Sequence, residues 1–482
     1  MLFLCYNLMG GLMIEDIIKC NSDILKGKYE KINVGFTNTL YKIDKYIVKI
    51  CEKKKNEKDF KHEIDFYQKN PNNKYIPTLY RYDLTKTKVK YCYSIIELLE
   101  GISLYNIWHL LDEKKREEII KKLCDILKTF HINKGQNYNW SNKLKKEALK
   151  YLKRSKDFYN KDEQKLIEKA ISKFDKYLID NEMVFIHNDI HFDNIIYNNG
   201  NIKIIDFERS MYAPLDFELD ILYRMIRMPW KFASEETEQY TKYSDYENIT
   251  LYLKKYYPLL FNHKYITERL KIYEMIYFME PAYKYPHLPH LKQEVISTAT
   301  YLVYNLDYDK IKTPKMLMNY MNAFIRYGWL DKNNIKHVNT LKDFRENYKI
   351  SDIDKIFENN IGTCIEQVKF EKYWFDNNNI ENKIFCHRSY ETEENFLKEV
   401  RMHCFLLYKH NNYWYHFEHS NIMKRGIHKY KTVNEALKSI CSGYNENDIR
   451  ELTEIPYMPD NLSFKEFNLF VNKYPKIKKE DL

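Results

Sequence analysis

One segment carries the strongest signal in the sequence: His187-Asn188-Asp189-Ile190-His191-Phe192-Asp193-Asn194-Ile195-Ile196. An apolar run, Ile202-Lys203-Ile204-Ile205, follows it and ends at Asp206-Phe207-Glu208. Such a run predicts a short buried strand, which would place Asp206 at a strand end. Asp189 and Asn194 are five positions apart. The chain therefore offers an acid, an amide five residues later, and a second acid directly after a strand.

These three groups match what phosphoryl transfer from ATP requires of a protein. One carboxylate accepts the proton of the acceptor's hydroxyl group, while an amide and a second carboxylate hold magnesium against the phosphates. We therefore predict that Asp189 is the catalytic base and that Asn194 and Asp206 are metal ligands. The predicted cofactors are ATP (or GTP) and Mg²⁺.

The segment resembles the motif of the aminoglycoside phosphotransferase and choline kinase family, whose members are related to protein kinases. That motif reads His-x-Asp-x-x-x-x-Asn, followed by Ile-Asp-(Phe/Trp)-(Glu/Asp), and this sequence matches it from His187 to Glu208. The resemblance covers roughly residues 30–330. It implies an α+β, two-lobed, protein-kinase-like fold, with an N-lobe over residues 13–99 and a helical C-lobe over residues 100–330. It also implies a structural role for His187, whereas Asp193 departs from the small residue that the family often has there.

The amino-terminal part has the pattern that such an N-lobe needs. Two β-rich runs, Leu40–Ile43 and Tyr46–Ile50, are joined by Asp44-Lys45 and predict a hairpin. Apolar residues at helical spacing predict a helix over residues 57–69. Two further strands are predicted near residues 79–83 and 88–98.

The family resemblance assigns a nucleotide site to this lobe. Gly35, Thr37 and Asn38 would form a loop over the phosphates. Lys49 would contact the α- and β-phosphates and would be held by Glu63. We prefer Glu63 to Glu57 because the apolar residues of the helix place its buried side near Glu63; for Lys49 the alternative is a surface lysine on an edge strand. The hinge that reads the adenine edge would comprise Ile96, Glu97, Leu98 and Leu99.

The acceptor is predicted only as a small molecule that carries a hydroxyl group. The family phosphorylates aminoglycosides, choline, sugars, homoserine and macrolides, so the resemblance leaves the acceptor open. Seven acidic residues lie between Ile186 and Asp220, opposed only by Lys203 and Arg209. Such an excess favours a cationic acceptor, but several of these acids already have a role in the motif.

A second pattern occupies residues 338–482. Gly362-Thr363-Cys364 begins a predicted helix, and a helix amino terminus stabilises a thiolate at Cys364. Two predicted strands follow, and a four-residue loop between them would pair Tyr408 with Tyr413. That register places His403 opposite Glu418. A nucleophilic Cys, a His base and an acid that orients it are a complete set for acyl transfer.

The order Cys, His and acid on a helix and two strands resembles the transglutaminase-like (papain-like) fold. The resemblance implies a smaller α+β domain that acts as a protease, an amidase or an acyl-transfer enzyme on a peptide or protein. Many relatives have Trp directly after the Cys, whereas Ile365 stands here. The alternative is an inactive domain in which Cys364 is a small core residue, as Cys386 and Cys404 would be. Gly328 and the polar residues after it predict the connection to this domain.

Composition limits the partners and the compartment. The net charge is +10, but the excess lies on helices whose charged faces we expect to be solvated, so no nucleic-acid partner is predicted. No apolar run approaches ~18 residues, so no membrane partner is predicted. Nine Cys without a CxxC pair suit a reducing cytoplasm. Residues 1–12 are interpreted as a disordered leader or as residues that do not belong to the protein because its true start codon encodes Met13.

Two functions remain from the sequence. The first is an ATP- and Mg²⁺-dependent kinase with the Cys-His-Glu domain attached. The second is a nucleotide-binding pseudokinase that regulates a cysteine protease, amidase or acyl-transfer domain.

Overall fold

The structure is a computed structural model that describes residues 13–32, 38–179, 182–232, 237–285, 288–338, 341, 343–393, 396–422, 424–441 and 449–477. The chain divides into two compact units: unit 1 holds Met1–Trp140 and Asp180–Ile266, and unit 2 holds Ser141–Ile179 and Thr267–Leu482. The leader at residues 1–12 and the loop residues Gly35 and Thr37 lie outside the described residues. The domain boundaries drawn from the sequence, near residues 99, 330 and 338, remain a prediction.

Unit 1 begins with a helical segment and an antiparallel five-stranded sheet of order β1-β2-β3-β5-β4. Its elements are α1 (residues 13–20), β1 (Tyr29–Ile32), β2 (Thr39–Ile43), β3 (Tyr46–Cys51), α2 (Glu57–Lys69), β4 (Leu79–Asp83) and β5 (Cys92–Glu97). The hairpin at Asp44 and the helix over residues 57–69 are confirmed. β5 begins at Cys92, later than predicted, and the Asp83 side chain at the end of β4 accepts two hydrogen bonds from Thr85 in a turn.

The rest of unit 1 consists of helices and two small sheets. Its elements are β6 (Ile102–Ser103), α3 (Leu104–Trp108), α4 (Glu113–His131), β7 (Met183–Ile186), β8 (Ile195–Asn198), β9 (Asn201–Ile204), β10 (Met211–Pro214), α8 (Leu219–Arg227) and α9 (Ile249–Tyr256). β8 and β9 are joined by Asn199-Gly200, both with positive φ, which suits a two-residue hairpin turn. This hairpin brings Asn194, just before β8, beside Ile205, just after β9.

Unit 2 combines helices with a large antiparallel sheet. Its first helices are α5 (Trp140–Arg154, of which all but Trp140 belongs to this unit), α6 (Lys161–Ser172), α7 (Phe174–Tyr177), α10 (Ile266–Lys284, from Thr267 onward), α11 (Pro289–Tyr304) and α12 (Pro314–Phe324). They are followed by β11 (Arg326–Leu330), β12 (Lys336–Val338), α13 (Phe344–Asn347), α14 (Ile353–Asn359), β13 (Ile361–Gly362) and α15 (Cys364–Asn377). Gly328, with which the predicted connection begins, lies in β11, where a Cβ would come within 2.4 Å of the His337 carbonyl oxygen on β12.

The six-stranded sheet has the order β17-β16-β15-β14-β18-β19. Its strands and the last helices are β14 (Asn382–Glu393), β15 (Phe396–His410), β16 (Tyr413–Glu418), β17 (Gly426–Tyr430), α16 (Val433–Cys441), β18 (Ile449–Ile455), α17 (Phe464–Val471) and β19 (Lys476–Ile477). α15 packs on one face, where Val368 and Phe375 share a core with Leu406 and Phe417.

The predicted register of β15 and β16 is wrong by two residues. Tyr408 pairs with Tyr415, not with Tyr413, because the turn contains only Asn411 and Asn412. Both have positive φ, and such a two-residue turn matches the twist of the strands. A slip of two residues keeps every side chain on its face, so His403 and Glu418 still lie on the same side.

Among the described residues, none of the helices has both the length and the apolar character needed to cross a membrane.

Candidate active sites

Glu218 fixes the loop that follows β7. Its carboxylate accepts hydrogen bonds from the backbone N–H groups of His187, at 2.8 Å, and Asn188, at 3.0 Å. The same carboxylate lies 3.1 Å from Nε2 of His131 on α4. Burial raises the pKa of Glu218, but the hydrogen bond and charge of His131 outweigh it, and the pKa falls below its usual value. The loop that carries Asp189 is therefore held by a buried carboxylate.

The three residues predicted for catalysis and metal binding are joined through main-chain contacts. The Asn194 side-chain nitrogen donates to the Asp189 carbonyl, at 2.9 Å, and lies 3.1 Å from Nε2 of His191. The Ile205 N–H donates to the Asn194 carbonyl at 3.0 Å, so Asn194 is tied to the residue before Asp206. Because the amide nitrogen of Asn194 is engaged, its side-chain oxygen is the end available for a cation. His187, buried, lies 3.0 Å from the Ile205 carbonyl, which agrees with the structural role expected for it.

Asp206 stands in the left-handed region, with φ 67° and ψ 71°. This turn sends the next side chain, Phe207, into the core, where its ring stacks on Phe66 of α2 with centroids 3.9 Å apart. Burial raises the pKa of Asp206, but the charge of Lys49 outweighs it and the pKa is lowered. The carboxylate therefore remains ionised and is fixed relative to α2.

Lys49 on β3 is surrounded by three carboxylates. Its ammonium nitrogen lies 2.7 Å from Glu63, 2.7 Å from Glu208 and 3.4 Å from Asp206. Burial lowers the pKa of Lys49, but these carboxylates more than compensate and raise it well above its usual value. Burial raises the pKa of Glu63 to about 7, because one ammonium group cannot neutralise three carboxylates. Glu57 forms a different ion pair, with Lys86.

Glu208 has a contact that the sequence did not predict. Besides Lys49, its carboxylate accepts a hydrogen bond from the Asn38 side chain, the one described member of the predicted phosphate loop. Burial raises the pKa of Glu208, and Lys49 opposes that rise. The motif contains Glu208, but its meeting with Lys49 depends on tertiary structure and has no signal in the local pattern.

The donors present fit magnesium. Mg²⁺ prefers oxygen ligands from carboxylates and amides. Asp206 supplies a carboxylate and Asn194 an oriented amide oxygen, while oxygens of Glu63, Asp206 and Glu208 lie within 4.8 Å of one another. Asp193 is engaged elsewhere, because it accepts a hydrogen bond of 2.8 Å from the Ser103 hydroxyl at the start of α3.

A cleft of about 570 Å³ lies beside the predicted hinge. Glu97, Leu98 and Leu99 line it, together with Ile196 and Lys203 of the β8–β9 hairpin. Lys203 forms an ion pair of 3.0 Å with Glu97. Ile96 lies one residue earlier on β5, paired with Ile47 of β3. The assignment of these residues to adenine binding stays a prediction.

In unit 2, Cys364 is the first residue of α15. Thr363 and Glu366 form a capping box, in which the Glu366 carboxylate accepts a hydrogen bond of 3.0 Å from the Thr363 N–H. This cap explains why the helix begins at Cys364, as predicted. The Cys364 residue is 7 % exposed, so its thiol lies at the buried amino end of a capped helix.

His403 and Glu418 meet although the register differs from the predicted one. Nε2 of His403 lies 2.7 Å from the Glu418 carboxylate. Glu418 also accepts hydrogen bonds from the Asn421 N–H, at 2.8 Å, and the Ser420 hydroxyl, at 3.1 Å. Because Glu418 occupies Nε2, the other ring nitrogen of His403, Nδ1, is the one left to face Cys364.

The charges of these groups support one another. A hydrogen bond from the Cys404 thiol lowers the pKa of Cys364 most, and His403 lowers it further, so it falls well below its usual value despite burial. Burial lowers the pKa of His403, but Glu418 and Cys364 outweigh it and raise it well above its usual value. Burial raises the pKa of Glu418, but His403 outweighs this and the pKa is lowered. The arrangement therefore favours a thiolate beside an imidazolium.

Two neighbours of Cys364 were not predicted. Tyr327 on β11 pairs in parallel register with Gly362, two residues before Cys364. A Cβ on Gly362 would meet the Cβ of Glu366 at 2.6 Å, so the first turn of α15 covers the face of β13 toward which that Cβ would point. Because paired residues of neighbouring strands share a face, the Tyr327 side chain lies on the same side. Glu371, two turns further along α15, is buried, which raises its pKa. No local pattern in the sequence indicates the pairing of Tyr327 with Gly362 or the burial of Glu371.

Comparison with known proteins relates the first of these sites to a family. Residues 28–250 match the family model described as "Phosphotransferase enzyme family". A search of curated proteins found no match.

Several solved structures match part of this chain. Aminoglycoside phosphotransferase APH(2'')-Ib with ADP is 17 % identical, and the match covers 60 % of this chain and 98 % of that chain with a TM-score of 0.44. The streptomycin–ATP complex of APH(2")-IIa is 17 % identical over 59 % of this chain and 97 % of that chain, with a TM-score of 0.42. The GDP complex of a mutant aminoglycoside 2'-phosphotransferase-IIIa is 12 % identical over 61 % of this chain and 95 % of that chain, with a TM-score of 0.44.

Proposed function

We propose that the phosphotransferase-family domain in residues 28–250 transfers the γ-phosphate of ATP or GTP to a hydroxyl group of a small molecule. The observation that carries the proposal is the position of the Lys49 ammonium nitrogen on β3. It lies 2.7 Å from the carboxylate of Glu63 on α2 and 3.4 Å from the carboxylate of Asp206, which follows β9. A buried lysine among carboxylates suits a phosphate group, which would take over part of its coordination.

Each residue has a specific task in this proposal. Asp189 accepts the proton of the attacking hydroxyl group as the oxygen–phosphorus bond forms. Lys49 binds the α- and β-phosphates and Glu63 keeps it in position. Asn194 and Asp206 would hold Mg²⁺, which when bound neutralises charge on the phosphates. Ile96, Glu97, Leu98 and Leu99 would bind the adenine edge through their backbone, and Gly35, Thr37 and Asn38 would cover the phosphates.

The acceptor is the open part of this function, and a screen of hydroxyl compounds with labelled ATP or GTP tests it. The panel contains aminoglycosides, amino alcohols, sugars and macrolides. Phosphorylated product is expected with the native chain and Mg²⁺, and none is expected with Asp189→Asn or Asp206→Ala. Asp193→Asn is the matched control, because Asp193 binds Ser103 and lies outside the proposed set. Equal transfer by Asp189→Asn and the native chain would overturn the assignment of the base.

A second activity is supported by a separate observation, the 2.7 Å contact between His403 and Glu418, together with the position of Cys364 at the amino end of the capped helix α15. We propose acyl transfer from a peptide or protein substrate in a transglutaminase-like domain. The Cys364 sulfur attacks the carbonyl carbon, the carbon–nitrogen bond breaks, and His403 gives its proton to the leaving amine. Water or a second amine then attacks the thioester, gives its proton to His403 and releases Cys364.

A labelled iodoacetamide and a peptide library test this second activity. Cys364 is expected to be alkylated at pH 6, where ordinary thiols are protonated, and cleaved or transamidated peptides are expected by mass spectrometry. Cys364→Ala removes both signals, whereas Cys20→Ser, at an exposed free thiol, removes neither. If Cys364 of the native chain is alkylated but no peptide product forms, the thiol is reactive and acyl transfer on peptides is rejected.

The competing interpretation, a pseudokinase that regulates the cysteine domain, gives a different result with Asp189→Ala. As a kinase the native chain yields phosphorylated product and the variant yields none. As a pseudokinase neither protein yields product, and nucleotide instead changes the rate of Cys364 alkylation.

A further inference from the structure

Three thiols of unit 2 form a row that runs from α15 into the sheet. Cys404 on β15 pairs directly with Cys386 on β14, and their sulfur atoms are 3.1 Å apart. On its other side the Cys404 thiol hydrogen-bonds Cys364. All three side chains belong to the same buried core. Cys404 is therefore the central member of a contiguous row, with the proposed nucleophile at one end.

The geometry of the pair on the sheet permits a disulfide. Directly opposite residues of an antiparallel ladder have Cα atoms about 4.5–5.5 Å apart, which overlaps the range of about 4.4–6.8 Å found for disulfides. Both side chains face α15, since Cys386 and Cys404 share the core of Val368 and Leu406. The two sulfur atoms have to approach each other by about 1 Å to reach the length of a disulfide bond.

Acyl transfer uses only one of these thiols. Cys364 is the nucleophile, whereas Cys386 and Cys404 have no place in that reaction. A thiolate such as that proposed for Cys364 is also the group that hydroperoxides oxidise, first to a sulfenic acid and then, irreversibly, to a sulfinic acid. The two neighbouring thiols, Cys404 and Cys386, can reduce the sulfenic acid before the sulfinic acid forms.

We propose that Cys404 and Cys386 form a thiol relay that returns Cys364 from its sulfenic acid to the free thiol. In the first step the Cys364 sulfur attacks hydrogen peroxide, a sulfur–oxygen bond forms, the oxygen–oxygen bond breaks, and hydroxide leaves. Cys404 then attacks the sulfenic sulfur; the hydroxyl group departs with the Cys404 proton as water, and a disulfide joins Cys364 and Cys404.

In the last step Cys386 attacks the Cys404 sulfur. The bond between Cys364 and Cys404 breaks, a disulfide forms between Cys386 and Cys404, and Cys364 leaves as a thiolate while the Cys386 proton passes to water. In total, two thiols lose two electrons and two protons, and one peroxide becomes two waters. An external dithiol reductant resets the pair.

The thiolate charge controls when Cys404 reacts. Burial raises the pKa of Cys404 most, and its hydrogen bond to Cys364 raises it further. Once Cys364 is a sulfenic acid, that negative charge is gone, so Cys404 loses its proton more easily. Oxidation of Cys364 therefore removes one of the effects that keep Cys404 protonated. The relay uses the reactive thiol and does not depend on acyl transfer.

The test treats the full-length chain with graded hydrogen peroxide and maps peptides without reduction by mass spectrometry, with dimedone to trap sulfenic acid. The native chain is expected to accumulate the disulfide between Cys386 and Cys404 and to keep Cys364 alkylatable. In Cys386→Ser oxidation is expected to stop at the disulfide between Cys364 and Cys404. In Cys404→Ser dimedone labels Cys364, and its sulfinic acid forms roughly tenfold faster than in the native chain.

Cys441→Ser is the control outside the row and is expected to behave as the native chain. Because serine in a core can disturb folding, Cys386→Ala and Cys404→Ala are measured in parallel, and near-ultraviolet circular dichroism verifies tertiary structure. Equal rates of sulfinic acid formation at Cys364 in the native chain and in both Cys404 variants would overturn the relay. So would oxidation of the native chain without a disulfide between Cys386 and Cys404. Failure of acyl transfer alone leaves these results unchanged.

Discussion

A carboxylate oxygen of Glu208 lies as close to the ammonium nitrogen of Lys49 as Glu63 does, 2.7 Å in both cases. The two contacts have different consequences in the proposed kinase. Glu63 comes from α2 and would orient Lys49 toward the nucleotide, whereas Glu208 follows Asp206, the proposed metal ligand, and would compete with phosphate for the same ammonium group. The pair therefore provides a test in which two similar substitutions give opposite results.

We expect Glu208→Gln to tighten nucleotide binding in the absence of Mg²⁺ by a few-fold, about 1 kcal/mol, because one competing charge is removed while Lys49 stays in place. Glu63→Gln is expected to weaken binding by a similar amount, because Lys49 loses its support. Titration with a fluorescent ADP analogue in EDTA measures both, with Glu57→Gln as control since Glu57 pairs with Lys86. Weakening by both substitutions would show that Glu208 supports Lys49 instead of competing.

Local patterns were sufficient for part of this site. The spacing of apolar residues predicted α2, and the β-rich runs predicted β2 and β3, because the buried side of each element consists of its apolar residues. The hairpin of β8 and β9 was missed, although Asn199-Gly200 is a strong turn signal. The contacts of Lys49 with Glu208, of Glu218 with the loop and of Tyr327 with the helix start join residues distant in sequence. A single chain contains no local pattern for such contacts.

The register of β15 and β16 shows a second limit. The loop was predicted to contain the four polar residues from Lys409 to Asn412, but Lys409 and His410 continue the strand and only Asn411 and Asn412 turn. Polarity does not distinguish an exposed strand end from a turn, whereas positive φ does. His403 and Glu418 are neighbours as predicted because the error was an even number of residues.

Glu218 is expected to link stability to pH. Its pKa is lowered in the folded chain, so its contribution is complete above its ordinary pKa of about 4.5 and is lost as the pH falls through the lowered value. We expect Glu218→Gln to lower the free energy of unfolding of the unit that contains it by about 1–3 kcal/mol at pH 7, because buried N–H groups lose a charged acceptor.

Thermal unfolding at pH 7 and below pH 4 measures this effect. The difference between Glu218→Gln and the native chain should shrink at the lower pH, because Glu218 is then increasingly protonated in the native chain as well. Glu118→Gln, at an exposed acid on α4, serves as control and should have no effect at either pH. A constant difference at both pH values would contradict a role for the charge.

Glu418 is expected to set the pH at which Cys364 reacts. Without the carboxylate, the pKa of His403 falls, the imidazolium is lost near neutral pH, and the pKa of Cys364 rises. Alkylation of Cys364 at pH 6 should therefore slow at least about tenfold in Glu418→Gln, since one pKa unit changes the thiolate fraction by that factor. The rate of iodoacetamide labelling between pH 4 and 10 measures the shift. At pH 10 the rates should converge, and a slow rate there would indicate lost access instead.

Tyr327 is expected to stabilise negative charge at Cys364. It lies on the face of β11 that the first turn of α15 covers, and burial followed by the charge of Cys364 raises its pKa, so its hydroxyl remains a donor. Tyr327→Phe should raise the pKa of Cys364 in the alkylation profile and slow acylation by p-nitrophenyl acetate. Tyr348→Phe is the matched control, because the Tyr348 hydroxyl donates to Glu366 at 2.6 Å; it should lower thermal stability but leave the thiol profile in place. If the two substitutions change the profile equally, Tyr327 acts by shaping the helix start and its hydroxyl has no separate role.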